Sequence, residues 1–394
     1  MAYDHTTFDT LIDRRGTNCN KWDDMEARFG VSPEDGLAMW VADMDFRPPQ
    51  VVTEALSRMT DHGIYGYYGD EGPYREAVRW WMHTRHGWDL DPAHVFSAHG
   101  LVNGTAMCID ALTKPDDSIV LFTPVYHAFF RVIKASGRGL VECRMPIENG
   151  RYIFDFDAFD AQMTGQERML ILCSPHNPGG RVWTRTELEG VAAFAKRHDL
   201  IVVSDEIHHD LVMPGQTHIP MALIDGVEDR LVMMTAATKT FNIAGAHLGQ
   251  VTIADDTLRA AFKTRMTALG LSAGSFGIEM VRAAYSPEGA AWVDELTAYL
   301  DTNRQIFDAA LAQIPGVQSM PLEATYLSWV DFSGTGMSED ELDRRVGQAA
   351  RIAANVGTTF GAGGDLFRRF NLGTPRARVE EAADRLRHAF SDLQ

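Results

Sequence analysis

Between about residues 95 and 255 the chain alternates short runs rich in apolar residues with longer stretches of mixed character. Ser118 to Phe122, Met169 to Cys173, Leu200 to Ser204, Leu231 to Thr235 and Gln250 to Ile253 contain no charged residue, as expected of strands buried on both faces. The segments between them have a helical period. In Thr184 to His198, Leu188, Val191, Ala192 and Ala195 fall on one face, and Thr184 with Glu187 has the spacing of a capping box. Strand and helix in alternation predict an α/β fold around a mainly parallel, two-sided sheet.

After Pro287 the pattern changes to a long helical segment from about Gly289 to Gln313, a Pro315-Gly316 turn and a strand from Tyr326 to Phe332. A helix from Ser338 to about Asn355, further strands and a last helix near Arg376 to Ser391 follow, which predicts a smaller α+β domain. A chain of 394 residues exceeds what one core usually holds. The shift at Ser286 to Gly289 places the division, with residues 1–45 as an amino-terminal segment packing with the small domain, 46–287 as the large domain and 288–394 as the small one.

Charge and cysteine usage narrow the function classes. With 36 Lys and Arg against 54 Asp and Glu, the net charge is −18, which repels nucleic-acid phosphates. Cys19, Cys108, Cys143 and Cys173 are scattered, without a C-x-x-C pair, and read as reduced thiols. The stretch Met1 to Thr10 is polar, and the longest apolar runs fall well short of the roughly twenty residues of a membrane span. A cytoplasmic protein with neither a nucleic-acid nor a membrane partner is expected.

Residues able to do chemistry lie where the predicted strands end, the edge at which open parallel sheets bind ligands. Lys239, in T-A-A-T-K-T-F-N-I-A-G, is either an exposed lysine past a strand or a desolvated amine able to attack an aldehyde and form a Schiff base. Asp205, in S-D-E-I-H-H-D, is either a helix cap or a carboxylate that holds a proton on a heterocyclic nitrogen, a cofactor pyridinium offsetting its burial. Asn177 stands in the rigid turn S-P-H-N-P-G-G, either for turn geometry or to donate its amide to a phenolate-like oxygen. Tyr126, in T-P-V-Y-H-A-F-F, either packs in the core or stacks on a planar ring. Gly100, in S-A-H-G-L-V-N-G-T-A, marks a strand-to-helix turn whose free amides at Leu101 and Val102 suit a phosphate. The cluster Gly361 to Gly364 lacks the third glycine of G-x-G-x-x-G, since Leu366 stands there. His208 and His209 are adjacent, so their side chains do not face together on a helix, and no metal is assigned.

Together, Gly100, Tyr126, Asn177, Asp205 and Lys239 resemble the constellation of the aspartate-aminotransferase-like, fold type I pyridoxal 5′-phosphate (PLP) enzymes of the class I/II aminotransferase family. N-K-W-D at Asn20 to Asp23, W-V-A-D-M-D-F at Trp40 to Phe46, H-G-I-Y-G-Y-Y at His62 to Tyr68, S-D-E-I-H at Ser204 to His208 and K-T-F-N-I-A-G at Lys239 to Gly245 are similar to its cystathionine β-lyase and cystalysin branch. The resemblance spans essentially the whole chain and implies PLP as cofactor. It implies that Lys239 carries the cofactor as a Schiff base and later moves protons, that Asp205 keeps the pyridine nitrogen protonated, and that Asn177 holds the ring hydroxyl oxygen. It further implies that Tyr126 stacks on the ring and that Gly100, Leu101 and Val102 cradle the phosphate, with Tyr67 reaching it from the other subunit of a homodimer. Arg369, in R-R-F-N-L-G, matches the arginine that takes the substrate carboxylate bidentately, with Arg368 as its decoy, and Ala42 falls in the loop that shapes the substrate pocket.

Other positions depart from the wider family. Ala236 stands where many relatives have serine, Thr238 immediately precedes the lysine among the cofactor-binding positions, and His247 stands where aminotransferases commonly place a phosphate-binding arginine. His208 occupies the position of a tyrosine that bonds the ring oxygen in aminotransferases, while S-D-E-I-H is usual for the lyase-like branch. The activity expected is α,β-elimination on S-substituted amino acids, giving pyruvate, ammonia and a thiol. An aminotransferase is the nearest alternative, and a non-catalytic regulatory binding protein on the same fold is a remote one.

Overall fold

Alternation inside the buried strands decides the central architecture. The structure is a computed structural model that describes residues 8–393, so residues 1–7 of the polar amino-terminal stretch lie outside it. One sheet is built from β1 (Val95–Ala98), β2 (Ser118–Thr123), β3 (Gly139–Arg144), β4 (Glu167–Cys173), β5 (Ile201–Asp205), β6 (Leu231–Thr235) and β7 (Gly249–Thr252), in spatial order β1-β7-β6-β5-β4-β2-β3. Ile119, Leu121, Met169, Ile171 and Val203 belong to one hydrophobic cluster, and Val120, Phe122, Leu170, Leu172 and Val202 to another, so each strand is apolar on both sides. Adjacent strands from β6 through β3 run parallel.

The Gln250 strand corrects the expectation. It exists, but β7 runs antiparallel to both β6 and β1. The connection from β6 holds only the short helices Ala237–Thr240 and Ala244–Ala246, not the longer crossover helix that usually links parallel neighbours. The helix Arg185–Arg197 begins as its capping box predicts, with the Thr184 hydroxyl accepting from the Glu187 N–H and Thr184 N–H donating to the Glu187 carboxylate at 2.8 Å.

Beyond the helix Pro287–Leu311, a four-stranded antiparallel sheet contains β8 (Gln318–Ser319), β9 (Leu327–Asp331), β10 (Asn355–Val356) and β11 (Phe367–Asn371), in the order β8-β9-β11-β10. The helix expected from Ser338 to Asn355 is shorter: Glu339–Asp343 continues into a wider π turn at Arg344–Ala349 and stops. Arg351 takes a left-handed φ of 54°. Ile352–Ala353 then pairs in parallel with Leu37–Ala38, and Asn355 pairs with Arg369. Strand pairing with distant segments outweighs the local helical period there.

The two amino-terminal motifs meet at one buried carboxylate. Asp45 accepts from Lys21 Nζ at 2.9 Å, Trp22 Nε1 at 3.0 Å and Thr374 Oγ1 at 2.8 Å, with Arg14 and Arg378 also within 3.2 Å. Burial pushes the Asp45 pKa up, but Lys21 and Arg378 outweigh it and hold the group at about 2. This knot anchors the loop Trp40 to Phe46, whose backbone is also held by Asn242 and Asn371. All four cysteines are free and buried, and among the described residues no helix is long and apolar enough to cross a membrane.

Candidate active site

The parallel strands β2, β4, β5 and β6 all end at one edge of the sheet, and the chain continuing from each supplies one wall of a cavity of about 660 Å³. Gly100, Leu101 and Val102 follow β1, Tyr126 follows β2, Asn177 follows β4, Asp205 ends β5, and Thr238 and Lys239 follow β6; all line this cavity, with Ala42 and His208. The sequence-predicted residues other than Arg369 and Tyr67 thus share one space. Arg369 lies immediately behind Asn177, and Tyr67 is fully exposed on the segment before helix Gly72–His86, outside this chain's cavity.

Desolvation sets the electrostatics. Lys239 sits on the short helix Ala237–Thr240, and its Nζ donates to the Ala42 carbonyl at 2.5 Å. Burial, opposed by Asp43 and Asp205, brings its pKa down to about 8, so the neutral amine is accessible near neutrality. Asp205 is pushed up to about 7, mainly by burial; its Oδ1 accepts from the Ile207 N–H at 3.1 Å, and no helix starts there. Both groups lean toward their neutral forms, so a cation opposite Asp205 would restore its charge. His208 is kept neutral by burial, and its Nδ1 has no hydrogen-bond partner.

Arg369 is a buried guanidinium held, among the described residues, only by neutral acceptors. It donates to Asn177 Oδ1 at 2.8 Å, Trp40 O at 2.8 Å and Asn355 Oδ1 at 2.6 Å, while its Nε is buried without a partner. Burial brings its pKa down to about 10. Its neighbour Arg368 points across the strand and pairs with Glu339 at 2.8 Å and Asp343 at 2.6 Å. A buried cation without a counter-ion is costly, so Arg369 is the arginine left for an anion. Because Asn177 commits its carbonyl end to Arg369, its amide donors remain for a ligand.

At the other end of the cavity, Gly100 has φ 75°, a conformation glycine adopts freely, and starts the helix Leu101–Leu112. The amides of that first helical turn suit a phosphate. His99, Asn103, Arg131 and His247 stand around the same cavity, as does Cys173. His99, Asn103, Arg131 and Cys173 escaped the sequence reading. His99 and Asn103 flank the glycine turn, and Arg131 lies just over one helical turn beyond Tyr126, so helical spacing from residues already singled out was the available signal. PLP fits these residues: an amine for its aldehyde, a carboxyl for its ring nitrogen, an amide for its hydroxyl, helix amides for its phosphate, and Arg369 for a substrate carboxylate.

The family model for aminotransferase class I and II matches residues 35–386. The chain is 38% identical to cystathionine beta-lyase PatB of Bacillus subtilis over 388 residues, covering 98% of this chain and all of that protein. Cystalysin from Treponema denticola, whose solved structure contains pyridoxal 5′-phosphate, superposes with a TM-score of 0.93 at 33% identity over the full length of both chains. The PLP-bound C-S lyase from Staphylococcus hominis superposes with a TM-score of 0.90 at 29% identity, covering 99% of this chain and 98% of that one.

Proposed function

The chain belongs to the class I and II aminotransferase family, and from that premise we propose that it is a PLP-dependent carbon–sulfur β-lyase acting on cystathionine, cystine or related S-substituted amino acids. The observation that carries PLP chemistry on an amino acid is the convergence of Lys239, Asp205 and a counter-ion-free Arg369 within one site. What favours elimination over transamination is full-length similarity to PatB and cystalysin.

When bound, PLP supplies an aldehyde for the amino group and a ring that takes up electron density from Cα. Arg369 receives the substrate α-carboxylate through its planar fork, exchanging neutral acceptors for a charged one. That contact fixes the Cα–H bond relative to Lys239. The Lys239 amine, neutral once released, takes the Cα proton as a general base, and a thiolate then leaves Cβ. Asp205 would hold a proton on the ring nitrogen, the state in which the ring takes up electron density. Asn177 would donate to the ring hydroxyl oxygen, Tyr126 would stack on the ring, and the Leu101 and Val102 amides with the Thr238 hydroxyl would hold the phosphate.

The same proposal includes a cytoplasmic homodimer with shared sites, divided at residues 287 and 288 into a large and a small domain. Ile64, Tyr65 and Tyr67 are exposed together, and Tyr65 packs on the exposed Phe276 with ring centroids 5.5 Å apart, an apolar patch suited to a second copy. There Tyr67 reaches the partner's phosphate site. Incubation with cystathionine, with and without a keto acid, tests the reaction. Pyruvate and thiol released without keto acid support the lyase, whereas strict dependence on keto acid makes the protein an aminotransferase.

A further inference from the structure

The two neighbouring histidines of the S-D-E-I-H-H-D segment go to different places. His208 lines the cavity, whereas His209 is fully buried outside its lining, against His86 of the helix Gly72–His86 and against Asp210. His86 Nε2 lies 2.8 Å from Asp210 Oδ1, and His209 Nε2 lies 3.2 Å from Asp210 Oδ2. The donor atoms of these three residues are all within 4.8 Å of one another.

Hydrogen bonding determines which ring nitrogen of His209 carries a proton. Its Nδ1 is 2.6 Å from the Glu206 carbonyl oxygen, which only accepts, so Nδ1–H donates. Neutral His209 then presents a bare lone pair at Nε2, and that atom is buried without a hydrogen-bond partner among the described residues. It faces the Asp210 carboxylate at 3.2 Å. Trp81 Nε1 and Thr240 Oγ1 also donate to that carboxylate, each at 2.9 Å. Two acceptors therefore confront each other in a dry interior, an arrangement that a cation between them resolves. His218 and Glu206, bonded to each other at 2.7 Å, are already satisfied nearby.

We propose that His86 Nε2, His209 Nε2 and the Asp210 carboxylate form a binding site for a divalent transition metal of the zinc class. Two imidazoles and a carboxylate are a zinc donor set, and donors at ~2.0–2.1 Å from a tetrahedral zinc sit about 3.3 Å apart, close to the spacings already present on Asp210. A ligating histidine usually donates its other ring N–H to a backbone carbonyl, as His209 does to Glu206. The ion ties helix Gly72–His86 to the turn after β5 and, through Thr240, to the helix that carries Lys239. The site is independent of the substrate reading, and it was missed in the sequence because His86 lies far along the chain from His209.

The test uses PLP-loaded enzyme, stripped with a chelator, given zinc ions alone and dialysed to remove loosely held metal. The wild type is expected to retain one zinc per chain, counted by elemental mass spectrometry, and to melt at higher temperature with zinc than without. His209→Ala should lose both the retained zinc and the melting shift while keeping its cofactor absorbance; if it fails to fold, His86→Gln takes its place. His83→Ala, which alters an exposed histidine, should retain both. A wild type that retains no zinc, or a His209→Ala protein that retains as much as the wild type, overturns the proposal.

Discussion

Replacing Asp205 by Asn tests the balance between stability and function in the cofactor-free protein. Asn is isosteric and keeps an oxygen to accept the Ile207 N–H, so the change removes the ionisation and little else. Asp205 has a pKa near 7 in the folded chain against an ordinary value of 3.8, chiefly because burial disfavours its charge. Below pH 3.8 both folded and unfolded chains hold the proton. Between 3.8 and about 7 the unfolded chain releases it while the folded chain keeps it, so stability falls as pH rises; about one unit above 7 the loss is complete. At about 1.4 kcal/mol for each tenfold change in proton affinity, the full loss is about 4 kcal/mol, of which about 2 kcal/mol falls between pH 5 and 7. In urea denaturation of the apoprotein, the stability of Asp205→Asn relative to wild type should therefore rise by about 2.5 kcal/mol from pH 5 to 7.5. A difference that stays flat over that range would mean that Asp205 titrates normally, and the argument for a buried carboxyl awaiting a cationic ring would fail. With cofactor bound the advantage should disappear, and the variant should lose most of its turnover.

Lys239→Ala should abolish turnover while leaving the fold intact, and borohydride should no longer attach cofactor to the peptide carrying residue 239; an active variant would refute the assignment of the base. Arg369→Lys keeps the charge but loses the fork, and losing one charge-assisted hydrogen bond of about 2–3 kcal/mol should lower kcat/KM by roughly 100-fold, read from initial rates with cystathionine. Asp45→Ala strands Lys21, whose side chain is completely buried, and should destabilise the protein by about 3–5 kcal/mol in denaturant titrations. Tyr67→Phe should weaken cofactor binding in fluorescence titrations without altering the secondary structure seen by circular dichroism, whereas unchanged affinity would argue against its reaching a partner's phosphate site.

Much of the site was legible because parallel strands put their carboxyl ends on one edge. Once the uncharged runs ending near Cys173, Ser204 and Thr235 are read as strands, Asn177, Asp205 and Lys239 must emerge side by side, although they are far apart in the chain. The capping box at Thr184 and Glu187 was equally readable, since both halves lie within one helical turn.

The sequence by itself determined the strand and helix periods, the order of the chemical residues and the acidic surface, because these depend on side chains within a few positions of one another or on simple sums. Tertiary structure alone decided the direction of β7, the early end of the helix after Ser338, the burial of Asp45 among Lys21, Trp22 and Thr374, and the parting of His208 from His209. It also decided that Arg368 meets Glu339 and Asp343 while Arg369 meets only neutral oxygens. Each of these turns on a partner from a distant part of the chain, and the free energy of burying or pairing a charge depends on that partner rather than on local sequence.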